Sequence, residues 1–270
     1  VTRMFKLPVS VMLSGVAIAL FIAVTALAPV LAPYGVNEIV GISWDPPSLS
    51  SPLGTDMIGR DLLSRFIWGA RVTILTAAAA TLLACLLGAS FGILAGLRRG
   101  WPDMVLSRFV DLVMAAPTLI LAMVLLTILP RSLAFIVAIM ALIEATRFYR
   151  LARLIAVDTA ALDFVESAYL RGEKTLWIIF REILPNGIMP ILAEFGLRFI
   201  FTVLFLSTLS FLGLGVQPPL TDWGSLIKEN KDGLLFGITA ALLPGVAIAV
   251  LAVAVTTMVD WITAGENGGQ

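Results

Sequence analysis

Between Arg71 and Arg98 no residue carries a charge, and the same holds from Leu7 to Asn37 and from Gly233 to Val259. Uncharged apolar runs of 18 or more residues are long enough to cross a bilayer as helices. Composition agrees: 13% of residues are charged, against about 25% in a typical soluble domain, and the mean hydropathy is +1.01.

Six segments qualify as spans, at 9–31, 72–97, 109–129, 133–152, 187–210 and 236–262. At about 1.5 Å per residue each covers roughly 30 Å of hydrocarbon. Lipid offers no partner to backbone N–H and C=O groups, and none of these segments alternates polar with apolar residues, so helices are expected and a barrel is not. The expected class is an all-α integral membrane protein with about six transmembrane helices. The first run, Val9 to Leu31, follows Arg3 and Lys6 but is too long for a signal-peptide core, and its Ala-Pro-rich end makes cleavage unattractive, so it reads as a retained helix.

Six spans place both termini on one side. With that side inside, eleven of the 18 Lys and Arg residues are cytoplasmic, six are external, and Arg198 lies within a span. The positive-inside rule then predicts an inner-membrane protein with cytoplasmic N- and C-termini. The expected division is a first helix and external loop at 1–71, a core at 72–262 and a cytoplasmic tail at 263–270.

Several function classes fall away. The formal net charge is zero and there is no basic block, so nucleic acid is not an expected partner. There is no histidine and a single cysteine, Cys85, inside an apolar run, which removes internal disulfides and His-based metal or general-base chemistry. No Gly-x-x-x-x-Gly-Lys-Ser/Thr loop is present, so the chain is not expected to hydrolyse ATP. Gly88-Ala89-Ser90-Phe91-Gly92 matches a nucleophile-elbow pattern, but no strand precedes it and no His can serve as base; it reads as small-residue helix packing.

Three opposite-charge pairs, Glu144 with Arg147, Arg108 with Asp111, and Glu194 with Arg198, sit three or four residues apart and are expected to pair along their helices. Glu194 and Arg198, with Ser207, are also candidates for a polar pathway. Thr55, Asp56, Arg60 and Asp61 surround a helix start expected near Met57, where their oxygens can cap free N–H groups. Gly213-Leu214-Gly215 followed by Pro218-Pro219 reads as a helix stop and turn.

The long internal segment between spans four and five is the most specific part. Val165, Tyr169, Gly172 and Leu176 recur at helical spacing, while Asp163, Glu166, Glu173 and Lys174 fall largely on other faces. That pattern predicts an amphipathic helix over about 164–177, too short to span and therefore lying at the interface or against a partner.

Glu166-Ser167-Ala168, then Gly172, then Leu184-Pro185-Asn186 resembles the Glu-Ala-Ala loop of bacterial ABC importer permeases, with Ser167 in place of an alanine. Pro52-Leu53-Gly54-Thr55-Asp56, Gly59-Arg60-Asp61, Ser64-Arg65 and Gly69-Ala70-Arg71 resemble the stretch before the second span of dipeptide, oligopeptide and nickel permeases. Arg108 with Asp111 and Pro117, Leu209 to Gly215, Gln217-Pro218-Pro219, Trp223-Gly224 and Pro244-Gly245 follow in the same family's order. By this resemblance the chain is identified as a C-type permease of the peptide/opine/nickel family, with the type I importer fold.

The resemblance implies that 164–177 is a coupling helix, with Phe164, Glu166, Ser167, Ala168, Gly172 and Leu176 docking an ATPase subunit. It implies receptor contact at Gln217, Pro218 and Trp223, beside the plain turn reading. It implies a second, different permease chain, two ATP-binding cassette subunits that use ATP and magnesium, and an extracytoplasmic solute-binding protein, with no cofactor or metal held by this chain. The implied substrates are di- or oligopeptides, with nickel, opines or glutathione as alternatives. A secondary transporter driven by an ion gradient would instead need broken helices and unpaired acidic groups at the midplane. An intramembrane enzyme or a scaffold would need a catalytic constellation or large soluble surfaces.

Overall fold

The computed structural model of the chain describes residues 8–98 and 100–267; Arg3, Lys6 and Arg99, counted above for orientation, and the last tail residues, 268–270, lie outside the described residues. Among the described residues ten α-helices follow one another: α1 (Val9–Leu31), α2 (Leu62–Leu97), α3 (Trp101–Ala115), α4 (Thr118–Ile128), α5 (Leu133–Ala160), α6 (Asp163–Leu170), α7 (Thr175–Ile178), α8 (Leu184–Phe211), α9 (Trp223–Asn230) and α10 (Leu242–Asn267). A π turn, Ile179–Ile183, joins α7 to α8, and a 3-10 turn, Lys231–Phe236, follows α9.

Among the described residues four helical stretches are long and apolar enough to cross a membrane: Val9–Leu31, Leu62–Leu97, Thr175–Phe211 and Leu242–Ala264. The pair α3 and α4 passes the same test together but is bent by 93°. α5 has 28 residues, about 42 Å at 1.5 Å per residue, and carries Glu144, Arg147, Arg150 and Arg153.

The expected span boundaries shift in three places, each for a local reason. α2 starts at Leu62, ten residues before the expected span, because Asp61 caps it by accepting from the Ser64 N–H at 2.7 Å. The expected boundary at residue 71 therefore falls inside a helix. The expected span at 109–129 is broken: Pro117 has no N–H and drives Ala116 out of the helical region to φ −82°, ψ 138°. The last span begins at Leu242, not 236, because 231–236 forms the 3-10 turn.

α2 and α5 form the closest seam of the bundle. Gly88, Gly92 and Gly96 lie one turn apart on α2 and face Phe148, Ala152 and Ala156 of α5. A Cβ at Gly92 would stand 3.0 Å from the Arg153 nitrogen and 3.1 Å from the Ala152 Cβ; one at Gly96 would stand 2.8 Å from the Ala156 Cβ. Small residues thus let two backbones touch, the main source of helix association where lipid removes the hydrophobic drive. Around this seam, α1 packs on α10, and α8 lies against α2, α5 and α10.

Gly92→Leu is expected to force the seam apart at a cost of about 1–3 kcal/mol, the usual range for overpacking, and to lower the midpoint of detergent thermal unfolding. Gly245→Ala is the control: its Cβ meets nothing within 4 Å, so the midpoint should stay unchanged.

Candidate coupling surface and translocation cleft

The internal segment folds as two pieces, not one helix over 164–177. α6 ends at Leu170, and Gly172, at φ +79°, turns the chain, with its N–H donating to the Tyr169 carbonyl and the Glu173 N–H donating to the Ala168 carbonyl. Only glycine adopts that backbone without strain. Thr175 then restarts a helix that runs through the π turn into α8, so Leu176 and Trp177 belong to the beginning of the next span's helix.

Val165 and Ala168 are fully buried, against Ala152 and Ala156 of α5 and Ile178 and Ile183 before α8. The expected docking role of Ala168 is therefore corrected: its side chain faces its own bundle. Glu166 and Ser167 are exposed, as are Phe164, Leu170 and Leu176, with Leu170 83% exposed. Outside the spans, such an apolar surface calls for a partner. Gly172 contributes a turn and open space, as nothing lies within 4 Å of where its Cβ would be.

On the opposite side, the loop before α2 is locked to α9 by a buried ion cluster. Asp56, 0% exposed, accepts from the N–H groups of Ile58 (2.8 Å) and Arg60 (3.0 Å), from Arg60 Nε (2.7 Å) and from Arg65 Nη1 (2.6 Å). Glu229 of α9 accepts from Arg60 Nη2 (2.5 Å) and Arg65 Nη1 (2.6 Å). Asp56 does not cap a helix near Met57; the helix starts later, and Asp61 is its cap. Thr55 ties the loop to itself, accepting from the Asp45 N–H and donating to the Ile42 carbonyl.

Trp223 cannot meet an external receptor. It is 0% exposed, stacked on Phe66 at 5.7 Å and edge-on to Phe21 at 5.8 Å, with Nε1 donating to the Phe66 carbonyl. An apolar ring with one N–H is held most stably where that N–H finds an acceptor. Gln217 is half-buried and donates to the Gly213 and Gly215 carbonyls, closing the turn after α8, while Pro218 is exposed.

A cleft of about 400 Å³ opens between the α3–α4 elbow, α5 and α8. Arg198 and Glu144 both line it. Arg198 Nε donates to Glu194 Oε1 at 2.6 Å, its Nη1 lies 3.7 Å from Glu144 Oε2, and its guanidinium sits 4.8 Å from the Phe201 ring centre. The Glu194–Arg198 pair is thus as expected, but Glu144 turns to Arg198 rather than Arg147, and Asp111 pairs with Arg150 of α5 (2.8 Å) rather than Arg108. Ser207 does not join the cleft: it is buried where the Gly224 backbone of α9 closes on it. Glu144 and Arg147 escaped as cleft residues because their spacing on one helix was sufficient to explain them; the signal was Glu144, an acid within the expected span at 133–152, where a charge needs a polar surrounding.

Burial works against the charge of Asp56, but the Arg60 and Ile58 N–H groups and the Arg65 and Arg60 guanidinium groups outweigh it and hold its carboxyl below the ordinary value of 3.8. A carboxyl depressed on folding stabilises the fold fully above its unfolded value and loses that contribution as pH falls through the lower folded value. Asp56→Asn is expected to cost about 3–5 kcal/mol, the range for breaking a buried ion pair. Thermal unfolding followed from pH 7 to below 3.8 should also show a shallower acid loss in the variant.

Residues 88–265 match the family described as "Binding-protein-dependent transport system inner membrane component". The dipeptide transport system permease DppC of Haemophilus influenzae is 32% identical over 88% of this chain and 83% of its own length. The di/tripeptide transport system permease DppC of Pseudomonas aeruginosa is 33% identical over 92% and 84%. The glutathione transport system permease GsiD of Pectobacterium atrosepticum is 30% identical over 92% and 83%. With multiple apolar helices, a cleft lined by charges within the bundle and a family match over residues 88–265, this chain belongs to the inner membrane components of binding-protein-dependent transport systems and is a multi-pass permease.

Proposed function

We propose that the chain is one of two different permease subunits of an ATP-driven importer of di- or oligopeptides, glutathione among them, in the bacterial inner membrane. Both termini are cytoplasmic, two partner ATPases use ATP and magnesium, and an external solute-binding protein delivers the substrate. The peptide and glutathione transport systems to which the relatives belong support this choice.

One observation carries the mechanism: α6 is bound on its inner face to both α5 and the start of α8, while its outer face exposes Phe164, Tyr169 and Leu170 beside Glu166 and Ser167. A force on α6 therefore reaches the two helices that carry Glu144, Glu194 and Arg198 without passing through a flexible loop. Closure of the ATPases on nucleotide would press on Phe164, Glu166, Ser167, Leu170 and Leu176, tilt α5 against α8, and open the cleft alternately to the two sides. Glu194 and Arg198 are proposed to line the pathway; their mutual pairing lowers the cost of keeping charge inside the membrane. On the external face, Pro218 and the adjoining turn are the proposed receptor contact.

Two outcomes test this. Tagged native chain purified in detergent should retain a second permease and ATPase subunits, whereas Leu170→Asp should lose the ATPases and keep the second permease. Recovery of no ATPase with the native chain would overturn the importer reading. Arg198→Met should leave assembly intact and reduce peptide uptake into proteoliposomes by at least about tenfold, the scale of one charge-assisted contact; unchanged uptake would remove Arg198 from the pathway.

A further inference from the structure

Arg147 lines the same cleft as Glu144 and Arg198, yet it enters no ion pair among the described residues. It lies one turn beyond Glu144 on α5, toward the end of the helix that leads into α6, and its side chain is exposed. Two acids of the neighbouring helices are already engaged, Glu194 by Arg198 and Asp111 by Arg150, and Glu144, one turn away on α5, lies nearer to Arg198. A guanidinium that lines a polar cleft and has no ion-pair partner among the described residues is open to an anion that enters the cleft.

Two further features converge on the cleft. The Glu144 side chain is only 10% exposed, and its Oε2 has no hydrogen-bond partner, the nearest cation being Arg198 at 3.7 Å. Thr118, the first residue of α4, also lines the cleft, and α4 has no side-chain cap at Pro117. An 11-residue helix without a cap leaves its first N–H groups open and carries partial positive charge at that end. Around one space stand a guanidinium and a helix start that favour an anion, and a buried carboxylate that lacks a donor.

We propose that this cleft is a binding subsite for a peptide zwitterion, with Arg147 and the start of α4 taking the terminal carboxylate and Glu144 accepting from the amino or an amide N–H. Phe201 and Phe205, also lining the cleft, supply sequence-tolerant apolar contact. The subsite reads backbone ends and not side chains, so it suits a permease that passes many peptides after an external receptor has selected them. This inference rests on the peptide-importer reading.

The test uses the complete permease–ATPase complex in lipid nanodiscs, without receptor, and tritiated trialanine. Unlabelled trialanine should displace the label at least about tenfold better than trialanine amide, since one charge-assisted bidentate contact is worth that much. Arg147→Met should abolish the preference, Arg147→Lys should keep part of it, and both variants should retain their ATPases. An equal response to acid and amide in the native complex, or the same preference in Arg147→Met, overturns the subsite. Absence of bound label in a preparation that imports trialanine once receptor is added overturns the subsite alone; a native preparation that imports no peptide overturns both the subsite and the importer reading.

Discussion

The contact of α2 with α5 through Gly88, Gly92 and Gly96 sets the distances on which the other helices depend. Lipid tails are as apolar as the helix surfaces, so little is gained by hiding one leucine against another; close backbone approach and dispersion decide which helices associate. α5 held this way presents Glu144 and Arg147 to one side, where the bend at Pro117 leaves room. It presents Ala152 and Ala156 to the other end, where α6 seats Val165 and Ala168. A seam of three glycines thereby fixes both the cleft and the surface that would drive it.

The charged residues divide into two environments with different demands. In the loop before α2, Asp56, Arg60, Arg65 and Glu229 pair with one another and tie that loop to α9. Removing any one of them strands a buried charge, which is where buried pairs are costly. In the cleft the pairing is incomplete: Arg198 is shared between two acids, and Arg147 has none among the described residues. Full satisfaction suits a strut, and partial satisfaction suits a surface whose ligand comes and goes.

Helical class, membrane placement and most segment centres were legible from uncharged runs, because the bilayer imposes a length and forbids open backbone. The segment boundaries were less so. Met57 looked like a helix start since Thr55 and Asp56 are good caps, but Asp61 won because Asp56 was committed to the guanidinium groups of Arg60 and Arg65. Trp223 looked like a surface aromatic beside a proline turn, yet Phe21 and Phe66, distant in sequence, enclose it. The 164–177 pattern held helical periodicity across Gly172, and periodicity does not register a single left-handed residue.

The sequence by itself determined what each segment is: an apolar helix, a glycine turn, a capped start, an internal loop whose motif places it in a permease family. Those properties are local, or are imposed by a solvent that every apolar run meets alike. Only the tertiary structure decided which charge answers which. Glu144 could reach Arg147 along its own helix, and Arg108 could reach Asp111, but Arg198 and Arg150 from neighbouring helices took those acids instead. A partner one turn away is always available, whereas one across a helix interface exists only once glycine, alanine and a proline bend have set the spacing, and that choice left Arg147 in the cleft without an ion pair among the described residues.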